Sequence, residues 1–249
     1  MARFDGRVAI VTGAGSGLGR ATALRFASEG ASVACLDIVE DAAEKTAGEI
    51  AEAGGTGRAQ RVDVSDPASV RAALDAVRAL GRPQVLVNCA GIGRFAHSTE
   101  MPFEDWQRII GVNLTGTFLM CQATLPHLLD GGGNIVNIAS NAGLMGQPYS
   151  AAYCASKAGV VNLTKALAAE FLDRGVRVNC VAPGGIDTPL QAQFAQFPDG
   201  VDWKVFRKFM SPLGNSAPEE IAATIAYIAS DEARYIVGAV VSVDGGLTI

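Results

Sequence analysis

The chain has 249 residues, of which 49% are hydrophobic and 18% are charged, and its net charge at pH 7 is -5. This acidic balance argues against a nucleic-acid partner, because phosphate binding requires a basic face. The five cysteines form no C-x-x-C pair, the first apolar run is too short for a signal peptide, and no segment reaches roughly 18 apolar residues. We therefore expect a cytoplasmic protein with free thiols and no membrane contact.

Strand and helix patterns alternate along the chain, which predicts an α/β fold. Strands are predicted at 7–12, 32–36, 57–62, 84–88, 134–138, 176–181 and 239–243, and helices at 17–29, 40–53, 67–79, 103–129, 151–173 and 218–229. Right-handed crossovers would wind these strands into one Rossmann-like, doubly wound parallel sheet of about seven strands, with helices on both faces. A single domain is expected over 1–249. The long connection at 186–215 predicts a substrate lid.

A glycine-rich loop follows the first strand. It reads Thr12-Gly13-Ala14-Gly15-Ser16-Gly17-Leu18-Gly19 and leads directly into a helix. Glycines let a backbone approach a pyrophosphate, and the N-terminus of a helix attracts its charge, so this context predicts a dinucleotide site. The spacing is G-x-x-x-G-x-G rather than the usual G-x-G-x-x-G, and an ordinary tight turn would also explain the glycines taken alone.

An acidic residue, Asp37, ends the second predicted strand, eighteen residues after Gly19. Its carboxylate is placed to accept hydrogen bonds from both hydroxyls of an adenosine ribose. The same charge would repel the 2′-phosphate of NADP, which predicts NAD as the cofactor.

Polar or turn-forming residues follow the later strands too: Asp63, Asn88, Ser140 and Pro183 stand at the ends of strands three to six. In parallel sheets ligands bind beyond the carboxyl ends of the strands. These residues are therefore expected to converge on one composite site.

Tyr153 and Lys157 are four residues apart, so their side chains share one face of a helix, and Ser140 lies thirteen residues upstream of the tyrosine. A lysine charge favours a phenolate and would lower the tyrosine pKa from its usual value of ~10. Simpler interpretations exist for each residue. The tyrosine and lysine could form a surface pair, Ser140 could cap a helix, and Asn113 could bind the backbone of its own helix.

Together these motifs resemble the short-chain dehydrogenase/reductase family, from about Gly6 to Gly246. The family pattern T-G-x-x-x-G-x-G is met at 12–19, and its P-G pair at 183–184. Its N-N-A-G pattern appears at 88–91 with Cys89 in place of the second asparagine.

The resemblance implies hydride transfer between a secondary alcohol and a nicotinamide ring, by a homotetrameric enzyme. The implied catalytic residues are Asn113, Ser140, Tyr153 and Lys157. The implied cofactor-binding residues are Gly13, Ser16, Gly17, Leu18, Gly19, Asp37, Ile38, Asp63, Val64, Asn88, Ala90, Gly91, Tyr153, Lys157, Pro183, Gly184, Ile186 and Thr188. Family members that bind NADP usually carry a basic residue where this chain has Ser16 or Ile38, which again favours NAD.

The predicted lid is rich in large apolar side chains, which favours an apolar alcohol or ketone as the substrate. These side chains are Phe194, Phe197, Trp203, Phe206, Phe209 and Met210, with Phe95, Leu144 and Met145 expected on the facing wall. No metal is expected, because His97 and His127 have no metal-ligand spacing.

Two other functions are compatible with the sequence. The first is a 3-oxoacyl-(carrier protein or CoA) reductase, to which the chain is broadly similar. Asp37 disfavours the NADPH of that reaction, and the turn at 128–133 has no basic residue for an acidic carrier protein, although Lys204, Arg207 and Lys208 on the lid could substitute. The second is a dinucleotide-binding protein without turnover, because a fold does not fix a function.

Overall fold

Seven parallel strands form one sheet in the computed structural model, which describes residues 2–194 and 196–249. The strands are β1 Val8–Thr12, β2 Ser32–Asp37, β3 Thr56–Arg61, β4 Pro83–Asn88, β5 Gly133–Ile138, β6 Val176–Pro183 and β7 Val240–Val243. Their order is β3-β2-β1-β4-β5-β6-β7. The order reverses between β1 and β4, and a crevice opens at such a reversal beyond the strand ends. The predicted seven-stranded parallel sheet is confirmed.

Helices cover both faces of the sheet. They are α1 Gly17–Ser28, α2 Glu40–Glu52, α3 Pro67–Val77, α4 Phe103–Ile110, α5 Gly116–Leu128, α6 Ala151–Phe171, α7 Pro189–Phe194, α8 Trp203–Phe206 and α9 Pro218–Ala229. Successive residues of β1 enter opposite cores, because side chains alternate across a strand. Ala9 and Val11 pack in the core beneath α1 and α9, whereas Val8 and Ile10 pack in the core beneath α3 and α5.

The helix predicted at 103–129 is not uniform. Between α4 and α5 the backbone widens into a π-helical segment, Gly111–Thr115, which contains Asn113. Such widened turns occur frequently at functional sites. The helix predicted at 151–173 ends at Phe171 and continues as a 3₁₀ turn.

The stretch Phe103–Leu128 is long and apolar enough, by length and composition alone, to cross a membrane. The expectation that no segment reaches this threshold is therefore wrong. The reason lies in packing: Met120, Leu125 and Leu128 are buried beneath the sheet, so the apolar composition of this helix builds a protein core. Core helices of soluble proteins often meet the same criterion.

The segment predicted as a lid contains the short helices α7 and α8, and backbone hydrogen bonds join its two ends. Asp187 N donates to Ser216 O at 3.0 Å, and Ser216 N donates to Gly185 O at 2.9 Å. These two bonds fix both ends of the segment to the end of β6, so the lid begins beside the carboxyl edge of the sheet.

Candidate active site

The glycine loop after β1 has the geometry of a phosphate cradle. Gly13 and Gly17 have φ angles of 67° and 49°, which favour glycine. A Cβ on Gly19 would lie 2.0 Å from the carbonyl oxygen of Gly13. Only glycine therefore allows α1 to begin so close to β1. Among the described residues, Ser16 gives α1 no side-chain cap, which leaves the N–H groups of its first turn available to an anion.

The Asp37 carboxylate is held at the edge of this loop. Its Oδ2 accepts a hydrogen bond from Gly15 N at 2.9 Å, and its Oδ1 accepts one from Val39 N at 3.0 Å. Each oxygen keeps a further lone pair for a ligand hydroxyl. The two backbone bonds fix the carboxylate beside the phosphate loop, where an adenosine ribose would lie.

Asp63 shapes the neighbouring turn after β3. Its Oδ1 accepts hydrogen bonds from Ser65 N at 2.9 Å and Ser65 Oγ at 2.6 Å, while its own N–H donates to Ser69 Oγ at 2.9 Å. The turn is therefore rigid, and it places Asp63 and Val64 on the wall of the same crevice.

One cavity of about 940 Å³ joins these elements to the helix α6 and to the lid. It is lined by most of the residues that the sequence singled out: Gly13, Ser16, Gly17, Leu18, Gly19, Asp37, Ile38, Asp63, Val64, Ala90, Gly91, Ser140, Tyr153, Lys157, Pro183, Gly184, Ile186 and Thr188. The convergence expected from the strand ends is therefore seen in the structure.

Asn88 does not line this cavity. Its side chain is buried inside the sheet, where Nδ2 donates to Asn137 Oδ1 at 2.9 Å. In the described part of the chain its Oδ1 is buried without a partner. The Asn88 side chain therefore joins β4 to β5 behind the cavity wall. In this position it does not meet a ligand in the cavity, which differs from the expected contact with the cofactor.

Asn113 also lies behind the wall, where it holds two segments together. Its Oδ1 accepts a hydrogen bond from Ile92 N at 2.8 Å, and its Nδ2 donates to Ile92 O at 2.9 Å and to Ser156 Oγ at 3.0 Å. The simpler interpretation, in which this side chain binds the backbone of its own helix, is wrong. The π-helical segment turns the amide toward the loop after β4 and toward α6 instead.

Tyr153 and Lys157 are buried, with exposed fractions of 9% and 4%, so they are not a surface pair. Lys157 Nζ lies 5.7 Å from the centroid of the tyrosine ring and donates to Ile138 O at 2.8 Å. A Cβ on Gly91 would lie 3.5 Å from this Nζ. The lysine is thus held between the end of β5 and the loop after β4.

Ser140 caps a turn and also lines the cavity. Its Oγ accepts a hydrogen bond from Ala142 N at 3.2 Å, which caps the following 3₁₀ turn. The same hydroxyl donates to Asn141 Oδ1 at 2.9 Å and lines the cavity.

Burial controls the protonation of Tyr153 and Lys157. It raises the pKa of Tyr153 to about 12, although a hydrogen bond with Ser140 acts in the opposite direction. It lowers the pKa of Lys157 to about 8. The tyrosine pKa is therefore raised rather than lowered as expected, because the loss of hydration outweighs the hydrogen bond with Ser140.

As the pH rises, the first proton leaves Lys157, near pH 8. The neutral amine that remains is a proton acceptor beside a protonated phenol. A transfer of the phenol proton to the amine gives a phenolate and an ammonium with the same total number of protons. The transfer runs from the weaker acid to the weaker base, because the pKa of Tyr153 is about 12 and that of Lys157 about 8, so the protonated phenol beside a neutral amine is the favoured form.

Aromatic side chains of the predicted lid line the part of the cavity next to Tyr153. The Phe194 ring meets the Tyr153 ring edge-on at 4.9 Å, and Phe95 stacks on Phe197 at 4.7 Å. All six large apolar residues predicted for this wall line the cavity, as does Phe95. The placement of Leu144 and Met145 on the facing wall is wrong, because they border a separate shallow depression beside Cys154.

Several residues of the site were not identified from the sequence. Asn141 and Gln147 line the cavity near Ser140. Among the described residues, Tyr149 is the non-glycine residue with a positive φ, 63°. Its hydroxyl accepts a hydrogen bond from Asp202 N at 2.9 Å, which ties the lid to the loop before α6. Asn141, Gln147 and Tyr149 lie close to Ser140 or Tyr153 in the sequence. Proximity along the chain does not specify which way a side chain points, so the sequence alone did not predict their positions.

Comparison with known proteins identifies the family. A family model described as enoyl-(acyl carrier protein) reductase matches residues 13–248. The crystal structure of a short-chain type dehydrogenase/reductase from Mycobacterium marinum is 38% identical with a TM-score of 0.90, over 98% of this chain and 96% of that one. The chain belongs to the short-chain dehydrogenase/reductase family. The family inferred from the motifs is thus confirmed.

Two curated relatives of this short-chain dehydrogenase/reductase are named as dehydrogenases. The D-threitol dehydrogenase of Mycolicibacterium smegmatis is 46% identical over 99% of this chain and 95% of its own length. The 3beta-hydroxysteroid dehydrogenase 1 of Eggerthella lenta is 42% identical over the same shares of the two chains. The protein is an oxidoreductase acting on CH–OH groups with a nicotinamide dinucleotide, and the glycine cradle fits that cofactor.

The lowered lysine pKa predicts a pH-dependent effect of replacing Lys157 by methionine in the apoprotein. Below about pH 8 the buried ammonium of Lys157 lowers the free energy of unfolding. This destabilisation decreases as the pH rises toward 10.5, the pKa of an unperturbed lysine. Lys157→Met should therefore raise the free energy of unfolding, relative to wild type, by about 2 kcal/mol more at pH 7 than at pH 9.5. Chemical denaturation at the two pH values measures this difference.

Lys165→Met is the matched control, because Lys165 lies exposed on the same helix. It should show the same effect at both pH values. If the two variants responded alike to pH, the lowered pKa assigned to Lys157 would be wrong.

Proposed function

We propose that this protein is an NAD-dependent oxidoreductase that interconverts a secondary alcohol and a ketone with an apolar body. The observation that carries the proposal is the meeting of Ser140, Tyr153 and Lys157 in the cavity that also contains the glycine cradle. When bound, the nicotinamide ring supplies or accepts a hydride.

The protein's own residues handle the substrate oxygen and its proton. Ser140 binds the substrate oxygen and stabilises the negative charge that develops on it. In alcohol oxidation Tyr153 accepts the hydroxyl proton as a phenolate, and in ketone reduction it returns that proton. Lys157, as an ammonium, stabilises the phenolate and donates to the nicotinamide ribose. Asn113 acts indirectly, since its bonds to Ile92 and Ser156 hold the loop and helix that carry these groups.

The aromatic wall supports an apolar substrate. Phe194 lies on Tyr153 and on Gly93, where a Cβ would come within 1.9 Å of the ring. Phe206 packs edge-on against Phe95 at 5.3 Å, so the wall extends away from the tyrosine hydroxyl as a continuous apolar surface. A ring or short chain that carries the reacting alcohol would bury its carbon atoms against this wall.

Reduction of a 3-oxoacyl thioester is the second candidate. The family model's carrier-protein description and the exposed cations Lys204, Arg207 and Lys208 on the lid favour it. Asp37 opposes it, because its carboxylate would repel the 2′-phosphate of NADPH. A dinucleotide-binding protein without turnover is less well supported, because all four family residues for catalysis stand in this chain.

The proposal is tested with secondary alcohols and NAD⁺, run beside acetoacetyl thioesters with NADH and NADPH. Cyclohexanol-type alcohols should be oxidised, and Tyr153→Phe should lower kcat at least about a thousandfold while NADH binding is preserved, because only the proton-transferring hydroxyl is removed. Tyr227→Phe, at a half-exposed tyrosine of α9, is the matched control and should keep full activity.

Two results would contradict the proposal. Full turnover by Tyr153→Phe would exclude the assigned mechanism. NADPH-dependent thioester reduction without any alcohol oxidation would favour the second candidate.

Cofactor choice is proposed to depend on Asp37. At about 4 Å a carboxylate and a phosphate charge repel each other by about 1 kcal/mol per charge pair even in water, and the phosphate carries nearly two charges. The enzyme should therefore bind NADH at least about tenfold more tightly than NADPH. Fluorescence titration with both cofactors measures the ratio.

Asp37→Asn keeps the shape of the side chain but removes its charge, so the preference for NADH should shrink. Asp41→Asn, at an exposed acid of the first turn of α2, should leave the preference unchanged. Equal affinities for the two cofactors in the wild-type enzyme would refute the role given to Asp37.

We further propose a cytoplasmic homotetramer. Phe103, Trp106 and Phe118 are large apolar side chains exposed on α4 and α5, and Tyr235 and Ile249 are exposed near the C-terminus. Two separate apolar surfaces suit the two interfaces of a tetramer with 222 symmetry. Light scattering of the protein from the cytosolic fraction should give about four times the chain mass of 25.7 kDa. A monomer mass at micromolar concentration would contradict the assembly.

A further inference from the structure

Asn141 directly follows Ser140 in the cavity wall and has an unused hydrogen-bond donor. Its carbonyl Oδ1 accepts hydrogen bonds from Ser140 Oγ and from Ala142 N, each at 2.9 Å. A backbone N–H can only donate, so the amide atom that faces Ala142 is the oxygen, and Nδ2 lies on the other side.

The Nδ2 group has no hydrogen-bond partner among the described residues. The side chain lines the cavity and only 9% of the residue is exposed. Asn141 is thus a nearly buried residue of the cavity wall whose amide nitrogen is left unpaired by the described residues.

The donor is close to the reacting centre. Ser140 Oγ lies 2.9 Å from Asn141 Oδ1. The oxygen and nitrogen of an amide are about 2.2 Å apart, so Asn141 Nδ2 lies within about 5 Å of the Ser140 hydroxyl, which is proposed to bind the substrate oxygen. When the Ser140 hydroxyl turns from Asn141 Oδ1 to the substrate, hydrogen bonds of roughly 3 Å from Ser140 Oγ and from Asn141 Nδ2 would reach two oxygens on neighbouring carbons.

A second amide repeats this arrangement. Gln147 Oε1 accepts a hydrogen bond from Ser150 Oγ at 3.3 Å, and its Nε2 has no partner in the described chain. Gln147 lines the same cavity as Asn141. Of the two amides, Asn141 is the one whose oxygen is fixed by a backbone N–H donor.

We infer that the preferred substrate carries a second oxygen on the carbon next to the reacting alcohol, as in a vicinal diol, and that Asn141 Nδ2 recognises it. This inference rests on the proposed function. A mono-alcohol would displace water from Asn141 Nδ2 and leave this N–H group without an acceptor. The second oxygen of a diol would accept a hydrogen bond from it. Only the carbinol next to Ser140 loses hydride and proton, so a diol yields a hydroxyketone with its second hydroxyl unchanged.

The test compares cyclohexanol with cis- and trans-cyclohexane-1,2-diol as substrates for oxidation by NAD⁺. The wild-type enzyme should favour one diol over cyclohexanol by at least about tenfold in kcat/KM, the size of one net hydrogen bond. Asn141→Asp keeps an oxygen for Ser140 and Ala142 but removes the donor. Asn141→Ala removes both functions. Each variant should bring the ratio of diol to mono-alcohol close to one.

Gln191→Glu is the matched control, because it adds a carboxylate to an exposed part of the cavity wall. It should leave the ratio unchanged. A wild-type enzyme that oxidises cyclohexanol as well as either diol would overturn the inference and leave the proposed function intact. Asn141 variants that slow both substrates equally would show that Asn141 only positions Ser140, which also overturns it. Failure to oxidise any of these alcohols would remove the proposed function itself.

Discussion

The structure depends on how closely three backbone segments meet at the end of β1. A Cβ on Gly19 would lie 2.0 Å from the Gly13 carbonyl, and a Cβ on Gly13 would lie 3.0 Å from the backbone of Ala90. The Thr12 hydroxyl accepts a hydrogen bond from Ala90 N at 3.1 Å, which joins the ends of β1 and β4. Because these strands are neighbours where the sheet order reverses, this contact places the phosphate cradle beside the loop that faces Lys157.

Burial of Tyr153 and Lys157 has an energetic cost that the surrounding backbone partly offsets. Lys157 has one hydrogen-bond partner among the described residues, Ile138 O, and an aromatic ring nearby. An ammonium in such surroundings lacks most of its hydration, which is why its pKa falls.

The segment predicted as a lid makes an apolar contact with Tyr153 and polar contacts with the loop before α6. Phe194 packs on Tyr153, whereas the Tyr149 hydroxyl binds the backbone of Asp202. His97 Nε2 lies 2.7 Å from Asp199 O, and its ring packs edge-on against Tyr149. The loop before α6 therefore supports the predicted lid and leads directly into the helix that carries Tyr153.

The sequence by itself determined the parallel sheet, the glycine cradle, Asp37 and the placement of Ser140, Tyr153 and Lys157 at one edge. These features follow from periodicity, from spacing and from motifs that are local in the chain. Only the tertiary structure decided that Asn88 and Asn113 lie behind the cavity wall and that Leu144 and Met145 lie outside it. It also decided the direction of both pKa shifts and the unpaired amide nitrogen of Asn141. Burial and side-chain direction depend on residues brought together from distant segments, and the pattern of a single segment does not contain that information.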